Sequence, residues 1–459
     1  MSTQSIEQST TSIEGATNPL LYQLHEVGRT ALSTAVGINV QFLKAATDPL
    51  LRTAEVMGIE SPALDRTRRI VSATERMAER AIRQYDKPSY DIDSVEIAGQ
   101  DVAVKEVVVN DRPFGSLLHF ERETDRKDPP VLVVAPMSGH YSTLLSDTVR
   151  QLLPNQDVYI TDWKNARDVP LEAGRFGLDG YVDDVTDYIR ELGPETNVVA
   201  VCQSTVPVLA AISRLAETEP ESQPLTMTLM AGPLDTTAAP SEVTKFAERT
   251  PLSLIQQSWI TKVPQKYAGR GRLVYPGFIQ LSNFMAMDPR RHQDAEVKLY
   301  QKLVDADVDP TSRADADKIE KFYNEFYATS DSDAQFYLDT VKGAFQDHEL
   351  PNGTMTHRGE PVRPKAITRT SVLTVEGAKD HISSPGQTVA VHDWLEGLDD
   401  SQKYHYLQEG AGHYGVFSGR HWKNEISPRI GAFIREAAQN EGYEYDEPAI
   451  SLIAPEQYS

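Results

Sequence analysis

The one cysteine of the 459-residue chain, Cys202, stands in Asn197-Val198-Val199-Ala200-Val201-Cys202-Gln203-Ser204-Thr205-Val206-Pro207. A strand-like run enters it and a helix-forming run leaves it, with the small residues Ala200 and Ser204 two positions to either side. This is the plan of a nucleophile elbow, in which small flanking residues let a strained turn lift a side chain above the end of a sheet. A thiol acts there as its thiolate, so the elbow needs a base. A buried structural cysteine at a strand end is the competing reading of the same local sequence.

Two later segments supply the missing groups. The strand-like run Val372 to Val375 leads into Glu376-Gly377-Ala378-Lys379-Asp380, and Tyr404 to Leu407 leads into Gly410-Ala411-Gly412-His413-Tyr414-Gly415. Nucleophile, acid and histidine then follow one another in the order of a hydrolase triad, each just past a strand end. His413 would take the Cys202 proton, and Asp380 would fix the ring tautomer and stabilise the imidazolium. Charge on an attacked carbonyl oxygen needs donors. The Gln203 amide is one, and Met137 or Ser138, in the loop after Val131 to Ala135, offers the second. His140 shares that loop, either as an accessory group or as an ordinary hydrogen-bonded histidine. Asp235 is a second possible acid and His381 a second possible base, while Asp147 and Asp162 read as solvated or structural.

These side chains have to be placed by strands and helices. Residues 1–17, rich in Ser, Thr, Gln and Glu, read as a disordered tail. Residues 18–90 read as helical. A first helix from Leu20 puts Leu20, Leu24, Val27 and Ala31 on one face, with Pro49 as an interruption. A second, Ala63 to Tyr85, puts Ile70, Met77 and Ala81 on a stripe and Arg66, Arg68, Arg69, Arg76, Arg80 and Arg83 elsewhere. Both read either as helices packed on the main domain or as an amphipathic surface for an apolar body or partner. Ser94 to Asn110 and Gly115 to Phe120 read as a hairpin.

Alternation follows: strand Val131 to Ala135, helix Leu144 to Leu153, strand Asp157 to Thr161, helix Leu178 to Leu192, strand Asn197 to Val201, helix Val206 to Ala216, strand Thr226 to Met230. It stops for residues 236–365, helix-like and rich in aromatics. It resumes with strand Thr370 to Glu376, helix Gly386 to Leu395, strand Lys403 to Leu407 and a last helix through Ile430 to Ala438. The expected fold is an α/β hydrolase. Its mostly parallel sheet is built from 91–235 and 366–440, with 236–365 as an inserted cap and 441–459 as an acidic tail. The cap aromatics form its own core or bind substrate.

Composition narrows the function. Lys+Arg 45 against Asp+Glu 67 leaves a net charge of −22, which argues against nucleic-acid binding. A lone thiol forms neither an intramolecular disulfide nor a multi-cysteine zinc site. No H-E-x-x-H pair and no glycine-rich phosphate loop occurs, so no metal or cofactor is expected. No run of about 18 apolar residues and no secretory leader pattern is present, which places the protein in the cytoplasm. A homo-oligomer is possible.

Several strings carry a resemblance. Val133-Val134-Ala135-Pro136-Met137-Ser138-Gly139-His140-Tyr141, Asp157-Val158-Tyr159-Ile160-Thr161-Asp162-Trp163, Ala200-Val201-Cys202-Gln203, Val274-Tyr275-Pro276-Gly277-Phe278 and Gly412-His413-Tyr414-Gly415-Val416-Phe417-Ser418-Gly419 resemble the intracellular polyhydroxyalkanoate (polyhydroxybutyrate) depolymerases over about Asp91 to Ala437. The resemblance implies an α/β-hydrolase fold, Cys202 as nucleophile with Asp380 and His413, and a polyester substrate stored in cytoplasmic granules whose surface the protein would meet. It implies release of 3-hydroxyacyl monomers or oligomers through an acyl-thioester, with water or coenzyme A as acceptor. Polyester synthases share the triad and fold but look closer to G-x-C-x-G at the elbow, which this chain lacks. The alternatives are such a synthase, a small-molecule thiol hydrolase, or a non-catalytic granule-binding protein.

Overall fold

Runs such as Val131-Leu132-Val133-Val134 and Val198-Val199-Ala200-Val201 are apolar at every position, which suits parallel strands covered on both faces. In the computed structural model, which describes residues 18–455, these residues are completely buried at the centre of a nine-stranded sheet. Its strands are β1 (Ser94–Ile97), β2 (Gln100–Asp111), β3 (Gly115–Arg122), β4 (Pro130–Val134), β5 (Asp157–Trp163), β6 (Asn197–Val201), β7 (Thr226–Met230), β8 (Ser371–Gly377) and β9 (Lys403–Gln408). They lie in the order β1-β2-β3-β5-β4-β6-β7-β8-β9. Every pairing from β5 to β9 is parallel, and β3 runs antiparallel to both neighbours. Helices Leu178–Leu192, Thr205–Thr218 and Ser427–Asn440 bury their apolar faces beside the sheet residues. The architecture is the α/β-hydrolase fold.

Local chemistry explains where the structure departs from the sequence reading. The first hairpin is a three-stranded meander, because Ala98 and Gly99 both have positive φ (50° and 81°) and turn β1 back on β2. The segment Gly386 to Leu395 is not an α-helix; only a 3₁₀ stretch, Val389–Trp394, forms there. Its leading amides are taken instead by the buried Glu376 carboxylate, which accepts from the N–H groups of Gly386, Thr388 and Val389. Residues 441–455 lie against the core, with the Asp446 and Ile453 amides donating to the Lys127 and Pro428 carbonyls. The expected disorder of 1–17 and the last four residues of the tail fall outside the described residues.

The chain divides into two compact units: 89–276 with 330–455, and 18–88 with 277–329. The block 236–365, read from sequence as one insertion, is therefore shared between them. In the first unit its two limbs are joined at the base, where Leu273–Tyr275 pairs antiparallel with Ser332–Asp333.

The second unit gathers helices Leu21–Val56, Pro62–Ile82, Gly277–Met287, Pro289–Asp305 and Pro310–Tyr327. The first runs unbroken through Pro49: one proline removes a single N–H donor, and the surrounding turns continue the helix. Its expected core face is not buried. Leu24, Val27 and Phe42, which share that face at 100° per residue, are 64%, 67% and 72% exposed, while Tyr22 packs edge-on against Phe278. The second helix likewise buries Val71, Ala73 and Arg80 rather than the Ile70 stripe. Arg80 is inside because Asn324 accepts its guanidinium hydrogen bond (3.1 Å), and Arg76 beside it grips Glu320 with two (2.9 and 3.0 Å). No described helix is long and apolar enough to cross a membrane.

Candidate active site

Cys202 follows β6 directly and has φ = 58°. A non-glycine residue there stores about 1–3 kcal/mol of backbone strain, so the surroundings must enforce the turn. Ser204, completely buried, does most of this. Its Oγ accepts from the Val201 N–H (2.8 Å) and lies 2.7 Å from the Val134 carbonyl and 2.9 Å from that of Val201. The elbow is thereby tied to β4 by hydrogen bonds where a glycine would supply only room. Thr205 Oγ1 donates to the Cys202 carbonyl (2.8 Å). Gly232, beyond β7, faces that threonine so closely that a Cβ would sit 1.9 Å from its Oγ1; only glycine fits.

His413 follows β9 and is buried together with Asp380, which follows β8. Asp380 Oδ2 meets His413 Nδ1 at 2.7 Å, while Oδ1 accepts from the amides of Ile382 (2.8 Å) and Ser383 (3.0 Å). The Cys202 sulfur also acts on this imidazole and raises its affinity for a proton. Thiol, imidazole and carboxylate, each just past a strand end, are thus brought to one place. The two loops approach closely: a Cβ on Gly377 would lie 2.8 Å from the Ala411 carbonyl oxygen. Tyr414 and Phe417 stand edge-on to the ring (5.7 and 5.8 Å between centroids), fencing it from water.

One family model and one relative match this chain in sequence. A family model described as PHB de-polymerase C-terminus matches residues 231–438, the part holding Asp380 and His413. The poly(3-hydroxyalkanoate) polymerase subunit PhaC of Allochromatium vinosum is 25% identical over 316 residues, 67% of this chain and 81% of that protein. Among solved structures, a putative lipase of Acinetobacter baumannii aligns with TM-score 0.38 and 11% identity over 74% of this chain and 93% of its own. The thioesterase domain of the curacin biosynthetic pathway aligns with TM-score 0.38 and 11% identity over 72% and 99%.

The electrostatics of the imidazole favour a cation. Burial, the largest influence, pulls His413 toward neutrality, but the Asp380 carboxylate and the Cys202 sulfur together outweigh it and hold the ring well above the usual histidine range. The loop after β4 is fixed by its carbonyls. Ala135 accepts from Trp163 Nε1 (2.7 Å) and Tyr181 OH (2.5 Å), Met137 from Ser332 Oγ (3.4 Å), and Gly139 from the Ser330 amide (2.8 Å). Among the described residues the Met137 N–H has no acceptor. The Gln203 N–H heads a helix, where first-turn amides lack intrahelical partners.

The remaining candidates lie elsewhere. Asp235 is spent on its own turn, accepting from the Thr237 and Ala238 amides and the Thr237 hydroxyl. His381 is exposed. Asp147 accepts from the Gly419 amide (2.6 Å), Asp162 accepts from Ser142, and His140 is buried in the loop it shares with Ser138. Among the described residues no cluster of three His, Cys, Asp or Glu side chains is arranged to hold a metal. Sequence reasoning missed the Gln203 side chain and Thr340, which line a pocket beside the elbow. Thr340 belongs to no motif, so only coordinates could have found it.

Proposed function

We propose that the chain is a thiol-dependent acyl-transfer enzyme of polyhydroxyalkanoate, working in the hydrolytic direction. The observation that carries this is the strained Cys202, whose sulfur acts on the His413 imidazole that Asp380 holds at 2.7 Å. The match of residues 231–438 to the depolymerase model and the Ala200/Ser204 elbow support hydrolysis. In the scheme, Cys202 sulfur attacks the ester carbonyl, and the oxyanion rests on the Gln203 and Met137 N–H groups. The C–O bond breaks as His413 gives its proton to the departing alkoxide, leaving a thioester. His413 then takes a proton from water, the hydroxide adds to the thioester, and C–S cleavage returns the sulfur and frees the acid. Asp380 stays ionised throughout. No step calls on a metal or dissociable cofactor. With an insoluble substrate, the exposed apolar face of helix Leu21–Val56 has an evident use against the granule surface.

The polymerase direction has support of equal or greater weight in the relative matched over most of its length, the Allochromatium subunit. There a growing chain's hydroxyl replaces water at the same thioester. Incubation with amorphous polyhydroxybutyrate, and separately with 3-hydroxybutyryl-CoA, separates the two. Monomer release from the first supports hydrolysis; polymer growth from the second, with no release from the first, overturns it.

A further inference from the structure

Two carbonyls of the loop after β4 are held by one short stretch, Ser330 to Ser332, where the chain re-enters the first unit. The Ser330 N–H donates to the Gly139 carbonyl (2.8 Å), and the Ser332 Oγ donates to that of Met137 (3.4 Å). That stretch is anchored in turn by a single side chain. Asn165, in the loop after β5 and 5% exposed, accepts through Oδ1 from the N–H groups of Asp331 (3.1 Å) and Arg167 (3.2 Å). Its Nδ2 donates to the Tyr141 hydroxyl (3.1 Å). The Asp331 carbonyl accepts from the Ala166 N–H (3.0 Å), so the residue between Ser330 and Ser332 is fixed at both its amide and its carbonyl. Tyr141 closes the circuit, since it follows Gly139 by two residues in the loop after β4. Tyr141, Asn165 and Ser330 to Ser332 are all buried.

An oxyanion donor is effective when its direction is set before charge develops. The peptide unit is planar, so a held carbonyl also fixes the N–H that shares its plane. The Met137 amide lies between two held carbonyls: that of Ala135, taken by Trp163 and Tyr181, and its own. Asn165 makes none of its hydrogen bonds to Cys202, Asp380 or His413. We propose that Asn165 is a positioning residue of the reaction, whose side-chain amide keeps the Met137 N–H aimed at the oxyanion by gripping the Ser330 to Ser332 stretch and Tyr141 at once. This rests on the acyl-transfer reading above and applies in either direction, because both pass through a tetrahedral centre on the same sulfur.

The test follows two reactions of the Cys202 thiol in the full-length protein, both read by mass spectrometry. A soluble 3-hydroxybutyrate ester acylates it through an oxyanion. Iodoacetamide alkylates it by displacement, the S–C bond forming as the C–I bond breaks and iodide leaves, with no oxyanion. Asn165→Ala should slow acylation by about 10- to 100-fold, less than outright loss of an oxyanion donor, and leave alkylation, which follows thiolate character, unchanged. Tyr141→Phe, which removes only the partner of Nδ2, should lose less in the same direction, and Ser332→Ala, which frees the Met137 carbonyl, should also slow acylation alone. A ratio of acylation to alkylation equal to the parent's in folded Asn165→Ala overturns the proposal. Where that variant does not fold, the parent's ratio in both Tyr141→Phe and Ser332→Ala overturns it. So does an equal fall in the two reactions, the mark of a purely structural residue. A parent thiol that iodoacetamide alkylates and no ester acylates overturns the acyl-transfer reading itself.

Discussion

The two flanks of Cys202 use the same kinds of polar atom and treat them in opposite ways. Toward Asp380 and His413 the acid oxygens and the ring are taken up: two amides and an imidazole on the aspartate, a sulfur on the ring. Beneath the elbow the Ser204 hydroxyl is bound on both sides. Toward Gln203 and Thr340, two buried atoms have no partner at all. A flank that is satisfied without ligand holds its own geometry. A flank with unpaired buried atoms carries a desolvation cost that the surrounding packing must offset.

Substitutions can break this contrast. The largest effect belongs to the satisfied flank: Asp380→Asn should lower kcat by about 10³- to 10⁴-fold, because an amide facing Nδ1 permits the wrong ring tautomer. Retention of most of the activity in steady-state assays would remove Asp380 from the triad. A second effect appears in acid. His392, buried under β8 with its Nε2 2.8 Å from Thr374 Oγ1, is lowered by burial, then by His405 and Lys403, to about 3. Its folded pKa lies below the unfolded value, so its contribution is fully present above pH ~6.5 and is lost as the pH falls toward 3, by up to about 1.4 kcal/mol per unit. Denaturant titrations between pH 7 and 4 should show a shallower decline for His392→Gln than for the parent.

Ser204→Ala should cost about 1–3 kcal/mol, because it strands the Val201 amide and the Val134 carbonyl inside the core. The smallest effect sharpens the contrast most. Thr340→Val, equally buried, should change stability by no more than about 0.5 kcal/mol, since its hydroxyl has no partner to lose. A thermal shift for Thr340→Val as large as that for Ser204→Ala would show that the two flanks are alike.

Much of this was legible in the sequence, unevenly. The strands showed themselves because parallel strands are apolar at every position, and Cys202, Asp380 and His413 stood out because three strand ends carry them in hydrolase order. Helices were misplaced where side chains redirected the backbone, as Glu376 does by capturing the amides of Gly386, Thr388 and Val389. Periodicity marked the Leu24 and Val27 face of the first helix correctly as apolar, but it carries no information on whether anything covers that face. The pocket was invisible because its polar lining residues, Gln203, Thr340 and Glu349, lie far apart in the sequence and share no pattern.

The most direct test of the central claim is mass spectrometry after brief exposure to a soluble 3-hydroxybutyrate oligomer ester. One acyl group is expected on the peptide carrying Cys202, with neither adduct nor turnover in Cys202→Ala. Consumption of the ester by Cys202→Ala at the parent's rate, with the thiol of the parent unmodified, would contradict that claim.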